Sequence, residues 1–294
     1  MKYNRVYVLC PSNHVTGGVE ALFQLCDAIN RLGVKSELFL VPGGGMSTPD
    51  DYLGYRVSFC TELFNDESTL VVAPEIWPHL LDSPLFSNAK KALWWLSVDN
   101  AYHKMGPFRD DLIHLCQSQY AINHLDKIGI TNKLPVFDYL NDRFLGLKDS
   151  FKKENIVCYS IKGESVATRL EKMVSNVDFV MIKGMSGVQV FDLLSRSKVF
   201  IDFGNHPGKD RIPREAASLF NCVITNTNGS AAFNEDVPIP DEFKVSVTDL
   251  EWAAKLISDC VVNYNDRVNQ FYSYREVISN QKEEFFEQVS LLLK

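Results

Sequence analysis

The sequence alternates short apolar runs with segments of helical period, and this alternation starts twice. Residues 5–10, RVYVLC, form the first apolar run, and residues 19–32 place apolar side chains on one face of a helix. The same order begins again near residue 155, after the charged stretch 147–155, LKDSFKKEN. Parallel strands covered by helices on both faces are expected from apolar runs of this kind. The sequence therefore predicts two doubly wound, parallel-sheet α/β domains in tandem.

Each half of the chain contains several further strand predictions. They are SELFLV, YRVSF, TLVVAPE, KALWWLSVD, LIHLCQS and LPVFDYL in the first half, and NIVCYSIKG, VDFVMIKG, KVFIDFG, NCVITNTNG and FKVSV in the second. A chain of 294 residues suits two domains, and we place them at 1–148 and 149–269. The tail after Asp249 predicts helix throughout, and its last part, about 270–294, has an apolar face that we expect to pack back on the first domain. A membrane-surface helix is the alternative, but the tail has few basic residues to meet lipid headgroups.

Charge and cysteine content narrow the class of protein. The 37 acidic and 30 basic residues give a net charge of -7, which argues against broad nucleic-acid binding. Seven scattered cysteines with no CxxC pair indicate buried thiols in a reducing compartment. The first apolar run is too short for a signal-peptide core or a membrane span, so we expect a cytoplasmic protein.

In the first half, two loops that follow predicted strands carry candidate site residues. Ligands of open parallel sheets bind outside the carboxyl ends of the strands, and with two such domains the cleft between them is the expected site. Gly17 and Gly18 open the first helix, where backbone amides and the helix N-terminus favour an anion, although a tight turn is an equal alternative. The loop PEIWPH offers Glu75, Trp77 and His79 to an acceptor, and a proline turn with an aromatic cap is its alternative.

In the second half, the segment GNHPGKDRIPREAASLFNCVIT gathers cationic side chains ahead of a helix. Lys209 and Arg211 offer donors to a phosphate, and Glu215 falls early in the helix, where it could accept hydrogen bonds from sugar hydroxyls. Lys162 ends the preceding strand in CYSIKGES and places an ammonium at the same edge. A solvated, charged helix start is the alternative reading of this segment.

Four stretches together resemble the retaining glycosyltransferases of the GT-B fold, in particular the family 4-like group. They are GGVEALFQLCDAINRLG, IKGES, FDLLSRSKVFIDFGNHPGKDRIPREAASLFNCVIT and NTNGSAAF, and they follow the family's order and spacing across both domains. The resemblance implies two Rossmann-like domains facing across a cleft. It also implies a hexosyltransferase activity, with a nucleoside-diphosphate sugar bound by the second domain.

Site residues carry over from the resemblance by position. Glu215 matches the glutamate that binds the donor ribose, and the diphosphate would be stabilised by Lys162 and Arg211, which we take as catalytic with Asp99 of WWLSVDN. The remaining implied donor contacts are Gly17, Gly18, His206, Lys209, Gly229 and Ser230.

Two departures from the family pattern bear on catalysis. Pro207 stands where the family has a second glutamate, and Val98 stands where it has a histidine. They leave the identity of the sugar open, with His206 or loop backbone as the replacement contact.

No cofactor and no metal ion are expected. The sequence has no DxD motif and no His or Cys cluster with metal-ligand spacing, so Lys and Arg would do for the diphosphate what a divalent ion does elsewhere. The resemblance implies two partners, a nucleotide-sugar donor and a glycan or lipid-linked acceptor. It also allows peripheral association of the cytoplasmic protein with the inner face of the membrane. A sugar-nucleotide 2-epimerase and a non-catalytic subunit of a polysaccharide assembly complex are the alternatives.

Overall fold

The computed structural model describes residues 1–12, 14–42, 48–101, 111–148 and 150–294. The chain divides into two compact units, Met1–Tyr139 with Lys282–Lys294, and Leu140–Gln281. Each unit contains one parallel sheet with helices packed on it. The predicted fold class, two parallel-sheet α/β domains, is confirmed.

The first unit has a six-stranded sheet in which every neighbouring pair is parallel. Its strands are β1 (Arg5–Pro11), β2 (Lys35–Val41), β3 (Thr69–Pro74), β4 (Lys90–Trp95), β5 (Ile113–Cys116) and β6 (Lys133–Pro135), and its helices are α1 (Gly17–Arg31) and α2 (Gln119–Lys127). The strand order β2-β1-β3-β4-β5-β6 makes β1, β3 and β4 neighbours. The loops that follow these three strands therefore share one edge of the sheet.

The second unit has a four-stranded parallel sheet in the order β10-β9-β7-β8. Its strands are β7 (Glu154–Ser160), β8 (Asp178–Ile182), β9 (Ser197–Asp202) and β10 (Cys222–Thr225), and its helices are α3 (Glu164–Glu171), α4 (Gly187–Arg196), α5 (Arg211–Ser218), α6 (Leu250–Val262), α7 (Tyr264–Arg267) and the first part of α8 (Tyr272–Leu292). Because β9 lies between β7 and β10, the loops after these three strands meet.

Two strand predictions are wrong. Residues 55–59, YRVSF, and 243–247, FKVSV, each make a single bridge to an edge strand, Leu38 to Phe59 and Thr225 to Lys244. Their apolar side chains do pack on the cores, as Phe59 and Val245 show. The alternating hydrophobic pattern thus predicted correctly that these side chains are buried. It does not predict whether the segment forms a continuous ladder of hydrogen bonds with its neighbouring strand.

The adjacent tryptophans of β4 lie in two separate cores on opposite faces of the first sheet. Trp94 and Trp95 are both fully buried. The indole of Trp94 donates to the carbonyl oxygen of Val136 at 3.0 Å, and that of Trp95 to Nδ1 of His114 at 3.0 Å. Both rings therefore serve the cores, and neither is available as a sugar platform.

The last helix contributes to both units, and its second part lies in the core of the first. Phe285 and Val289 are fully buried, and Phe285 stacks on Trp94 with ring centroids 6.4 Å apart. Oε1 of Gln288 accepts a hydrogen bond from the amide of Phe137 at 2.7 Å. Across the described ranges, no helix combines the length and the hydropathy that a bilayer span requires.

Six of the seven cysteines are buried, and Cys60 is partly buried. Burial raises the pKa of the Cys158 thiol, and likewise that of Cys116, to about 12. These side chains therefore behave as small apolar groups of the cores, as predicted.

The ammonium group of Lys153 binds three backbone carbonyl oxygens at the amino-terminal edge of the second sheet. Nζ of Lys153, just before β7, donates to the carbonyl oxygens of Leu194, Ser197 and Leu219 at 3.2, 2.9 and 2.5 Å. These carbonyls belong to the end of α4, the start of β9 and the end of α5. Lys153 thus satisfies orphan carbonyls of two helix C-termini, where a positive charge is favourable.

We expect Lys153→Met to destabilise the second unit by about 3 kcal/mol, because a hydrogen bond to a charged group contributes more than a neutral one. The carbonyl oxygens of Leu194 and Leu219 would lose the ammonium as donor, whereas that of Ser197 would keep Nδ2 of Asn221. Urea unfolding followed by circular dichroism would measure the change.

Lys152→Met is the matched control, since Lys152 is exposed. Equal unfolding free energies for the two variants would contradict the assignment.

Candidate functional site

The carboxyl edge of the second sheet brings together three loops that the sequence singled out. A 3-10 turn, Ile161–Gly163, follows β7, a second one, Gly229–Ala232, follows β10, and residues 203–210 connect β9 to α5. We call residues 203–210 the β9–α5 loop. A Cβ built on Gly204 would lie 2.4 Å from Cβ of Lys162, so this loop runs directly against the turn after β7.

Lys162 is held by the β9–α5 loop. Its Nζ lies 3.2 and 3.3 Å from the two carboxylate oxygens of Asp210 and 3.4 Å from the carbonyl oxygen of Asn205. The side chain of Lys162 is 42% exposed and that of Asp210 22%. The ammonium is therefore at the sheet edge, as predicted, and it has an internal counter-ion that the sequence analysis did not identify.

Two buried side chains lie beneath this ion pair. Nδ1 of His206 is 3.1 Å from Oδ2 of Asp210, and Nε2 of His206 is 3.9 Å from Oδ1 of Asp202. Oδ1 of Asp202 also accepts from the hydroxyl of Ser160 at 3.2 Å and from the amide of Gly204 at 3.0 Å. His206, predicted as a donor contact, is fully buried and lies between two carboxylates.

The two buried groups shift one another's protonation. Burial raises the pKa of Asp202, and the positive charge of His206 opposes this. Burial also disfavours the imidazolium of His206, but the close contact with Asp210 and the charge of Asp202 outweigh it and raise the pKa of His206. The cluster thus favours a protonated His206 between the two aspartates.

Asp202, His206 and Asp210 also form a group of side chains that could hold a metal ion. One ligand atom from each of Asp202, His206 and Asp210 lies within 4.8 Å of the others, and this is the one such group in the part of the chain that the structure describes. The spacing i, i+4 and i+8 without a Cys is not a recognisable metal-ligand motif, so the sequence alone does not reveal this group. The donor set could accommodate a divalent ion, but Lys162 already places a cation on Asp210.

Arg214 fixes the backbone of the β9–α5 loop. It is fully buried, and its Nη2 donates to the carbonyl oxygen of Lys209 at 2.9 Å, its Nε to that of Asp210 at 3.2 Å and its Nη1 to Oε1 of Gln281 at 3.0 Å. Lys209 is itself only 4% exposed. The alternative of a solvated, charged helix start is therefore wrong. The sequence held a signal for this, because residue 214 shares a helix face with the small, buried Ala217 and Ser218.

The turn after β10 holds the β9–α5 loop from its other side. The amide of Ser230 donates to the carbonyl oxygen of His206 at 2.9 Å, and the hydroxyl of Ser230 donates to that of Gly208 at 2.6 Å. Gly229 has φ of +54°, and a Cβ there would lie 2.0 Å from the carbonyl oxygen of His206. Gly229 and Ser230, which were predicted to contact the nucleotide-sugar donor, thus hold this loop in place. The amide of Ser230 already donates its hydrogen bond to His206.

Arg211 and Glu215 lie in α5, directly after the β9–α5 loop, and both retain partial exposure to solvent. Arg211 begins α5, and Glu215 follows one turn later on the same helix face. Asp210 is the N-cap residue of α5, and its side chain makes no capping hydrogen bond. The amides at the start of this helix therefore add to the positive character at the sheet edge.

In the first unit, the two glycines lie where the first helix begins. Gly17 is exposed, and the preceding residue, Thr16, caps α1 by accepting from the amide of Val19 at 3.2 Å. A Cβ built on Gly18 would meet nothing closer than 3.9 Å. This helix start is accordingly open, at the carboxyl end of β1.

The other predicted residues of the first unit follow β3 and β4, which are neighbours of one another. Glu75 is 4% exposed and its Oε2 accepts from the amide of Leu96 at 3.0 Å, whereas Trp77 is partly buried and His79 is exposed. Burial raises the pKa of Glu75 to about 7, although backbone N–H donors favour its carboxylate. Asp99 is exposed and accepts from the hydroxyl of Tyr120 at 2.7 Å.

Comparison with known proteins gives matches in structure alone. No protein-family model matches the sequence, and no curated protein does so either. Among solved structures, HepE from Anabaena in complex with UDP and glucose aligns with a TM-score of 0.73 at 10% identity, over 99% of each chain. A glycosyltransferase from Rickettsia africae aligns with a TM-score of 0.64 at 13% identity, over 99% of this chain and 96% of its own.

TarM from S. aureus, solved with fondaparinux, α-GlcNAc-glycerol and UDP, aligns with a TM-score of 0.61 at 12% identity. The match covers 79% of this chain but only 56% of TarM, so the chain spans little more than half of that relative. Identities of 10–13% establish fold and no more. The chain has the two-domain parallel-sheet architecture of the GT-B proteins.

Proposed function

We propose that the chain is a glycosyltransferase that moves a sugar from a nucleoside-diphosphate sugar to a glycan or lipid-linked acceptor. The observation that carries this proposal is the positive edge of the second sheet, where Lys162, Arg211 and the N-terminus of α5 converge. Two of the structural neighbours, HepE and TarM, were solved with UDP, and TarM also with fondaparinux. A diphosphate at this edge fits both the charge and the fold.

In the proposed mechanism, Lys162 and Arg211 stabilise the negative charge that develops on the departing diphosphate. Glu215, one turn into α5, accepts hydrogen bonds from the donor ribose. His206 and Lys209 belong to the β9–α5 loop, and Gly229 and Ser230 hold that loop from the turn after β10. In the proposed mechanism these four residues have a positioning role. Transfer with retention of configuration remains a proposal that rests on the sequence resemblance.

Metal independence is part of the proposal. Asp210 already faces the ammonium of Lys162, and the imidazole of His206 lies between the carboxylates of Asp202 and Asp210. A bound divalent ion would have to compete with the ammonium for Asp210. Lys and Arg therefore supply the positive charge that the diphosphate needs.

The first unit would present the acceptor. Gly17 and Gly18 offer an open helix start to an anion or to the transferred sugar, and Glu75, Trp77 and His79 form the proposed acceptor side. Asp99 is exposed at the same sheet edge and could polarise a hydroxyl group. An exposed carboxylate and an exposed imidazole after neighbouring strands suit a polar, hydroxyl-rich acceptor.

Calorimetric titration with UDP, GDP, ADP and dTDP, each with and without EDTA, tests the donor site. We expect one nucleotide to bind with an affinity that EDTA does not change. Arg211→Ala and Glu215→Ala should each weaken that affinity about tenfold, which is about 1.4 kcal/mol. The matched control is Arg196→Ala, because Arg196 immediately precedes β9 at the opposite edge of the sheet.

Unchanged affinity in both the Arg211 and Glu215 variants would remove the site assignment. If no nucleotide binds, the non-catalytic subunit becomes the better proposal. If the nucleotide sugar is converted without an acceptor, the protein is an epimerase.

Gly229→Ala should weaken nucleotide binding, because its Cβ would collide with the carbonyl oxygen of His206 and displace the β9–α5 loop. Gly184→Ala is the matched control, since Gly184 also has a positive φ, +64°, but a Cβ there meets nothing within 4 Å. Both substitutions strain the backbone, but only Gly229→Ala should displace the β9–α5 loop. Calorimetry on the two folded variants therefore separates loop displacement from backbone strain. Similar affinities would show that the clamp does not position the site.

Glu75→Gln should change how the stability of the first unit depends on pH. The folded protein holds a proton on Glu75 up to about pH 7, above the ordinary value of 4.5, so the wild type loses stability as pH rises through 7. Relative to the Gln variant, this loss should approach about 3 kcal/mol between pH 5 and 8. Unfolding followed by tryptophan fluorescence measures it, because Trp77, Trp94 and Trp95 lie in this unit.

The control is Glu67→Gln, an exposed carboxylate of the same unit, whose profile should follow the wild type. Parallel profiles for wild type and Glu75→Gln would contradict the raised pKa.

A further inference from the structure

The proposed donor site depends on the ammonium of Lys162, which is already paired with the carboxylate of Asp210. Both carboxylate oxygens of Asp210 lie within 3.3 Å of Nζ, which is the geometry of a charge-assisted contact. An incoming anion cannot contact the same face of the ammonium while Asp210 remains there. Binding of an anion to Lys162 is therefore an exchange of one counter-ion for another.

Asp210 has a second partner that can keep it after the exchange. Oδ2 of Asp210 is 3.1 Å from Nδ1 of His206, and the imidazole is buried and anchored on its other side near Asp202. The loop backbone on either side is held by Arg214 through the carbonyl oxygens of Lys209 and Asp210. The carboxylate can thus lose Lys162 without losing its place, because His206 and Arg214 still hold the residue.

Lys162 is the mobile member of the pair. Its side chain is 42% exposed and unbranched, whereas Asp210 is 22% exposed and lies on a clamped loop. An ammonium on a flexible stem can turn from the carboxylate to a ligand at little cost. His206 and Asp202 lie beneath the pair, and the guanidinium of Arg214 donates to the carbonyl oxygen of Asp210.

We propose that Asp210 is an internal counter-ion that sets the affinity of Lys162 for anions, and that a ligand must carry more charge than a single carboxylate to displace it. The inference deepens the proposed function, since it assumes that the donor's diphosphate is the anion at Lys162. It assigns to Asp210 a role in selecting the ligand by its charge. A singly charged ligand would gain no more from Lys162 than Asp210 already provides.

The test uses inorganic pyrophosphate as the probe, titrated calorimetrically into the full-length protein. Asp210→Asn should bind pyrophosphate about tenfold more tightly than the wild type, because Lys162 no longer has a competing carboxylate. Asp192→Asn is the matched control, since Asp192 is an exposed acid of the same unit that pairs with Arg196. It should leave the affinity unchanged.

A double-mutant cycle separates the pair from a general change of charge. In a Lys162→Met background, Asp210→Asn should give less than a twofold gain. Tighter binding of the same size in both backgrounds would overturn the proposal, and so would equal or weaker binding by Asp210→Asn alone. Absence of pyrophosphate binding in every variant would overturn it as well.

Nucleotide titrations of the same proteins keep the two proposals apart. If pyrophosphate follows the expected pattern but no nucleotide binds, the counter-ion inference stands and the donor-site proposal fails. If a nucleotide binds the wild type and Asp210→Asn equally, the donor-site proposal stands, and Asp210 does not set the affinity of that site.

Discussion

The candidate site depends on one buried cation, the guanidinium of Arg214. Burying an arginine is costly unless its donors are satisfied, and here three of its nitrogens donate to the carbonyl oxygens of Lys209 and Asp210 and to Gln281. The two carbonyls belong to the residues immediately before α5. Arg214 therefore determines where this helix starts and, with it, the positions of Asp210 and Arg211.

Around that anchor, an acidic protein builds a locally positive edge. The net charge of the chain is -7, but at this edge the aspartates are either buried or paired, and the ammonium of Lys162 remains partly exposed. Burial of Asp202 under His206 keeps its charge away from solvent. The sign of the potential that a ligand meets thus follows from the depth at which each charge lies, and the overall composition does not reveal it.

Most strand positions were predictable because buried parallel strands leave continuous apolar runs, and Lys162 was placed correctly because it follows such a run. The two exceptions, 55–59 and 243–247, are buried but form only isolated bridges. Side-chain partners were not predictable. Sequence spacing gives the sheet edge at which a residue lies, but not the depth of Lys209 or His206, nor the pairing of Asp210 with a residue 48 positions away. Contacts of that range depend on how the loops after β7, β9 and β10 pack, which no local pattern encodes.

The division of α8 between the units has a consequence for biosynthesis. Phe285 and Val289 complete a core whose other members come almost entirely from the first 139 residues. Domains usually fold in the order in which they are synthesised. Here the second unit, whose residues are contiguous, can reach its native contacts while the first still exposes the surface that Phe285 will cover. The unit that is translated first therefore has an incomplete core until the last part of α8 has been made.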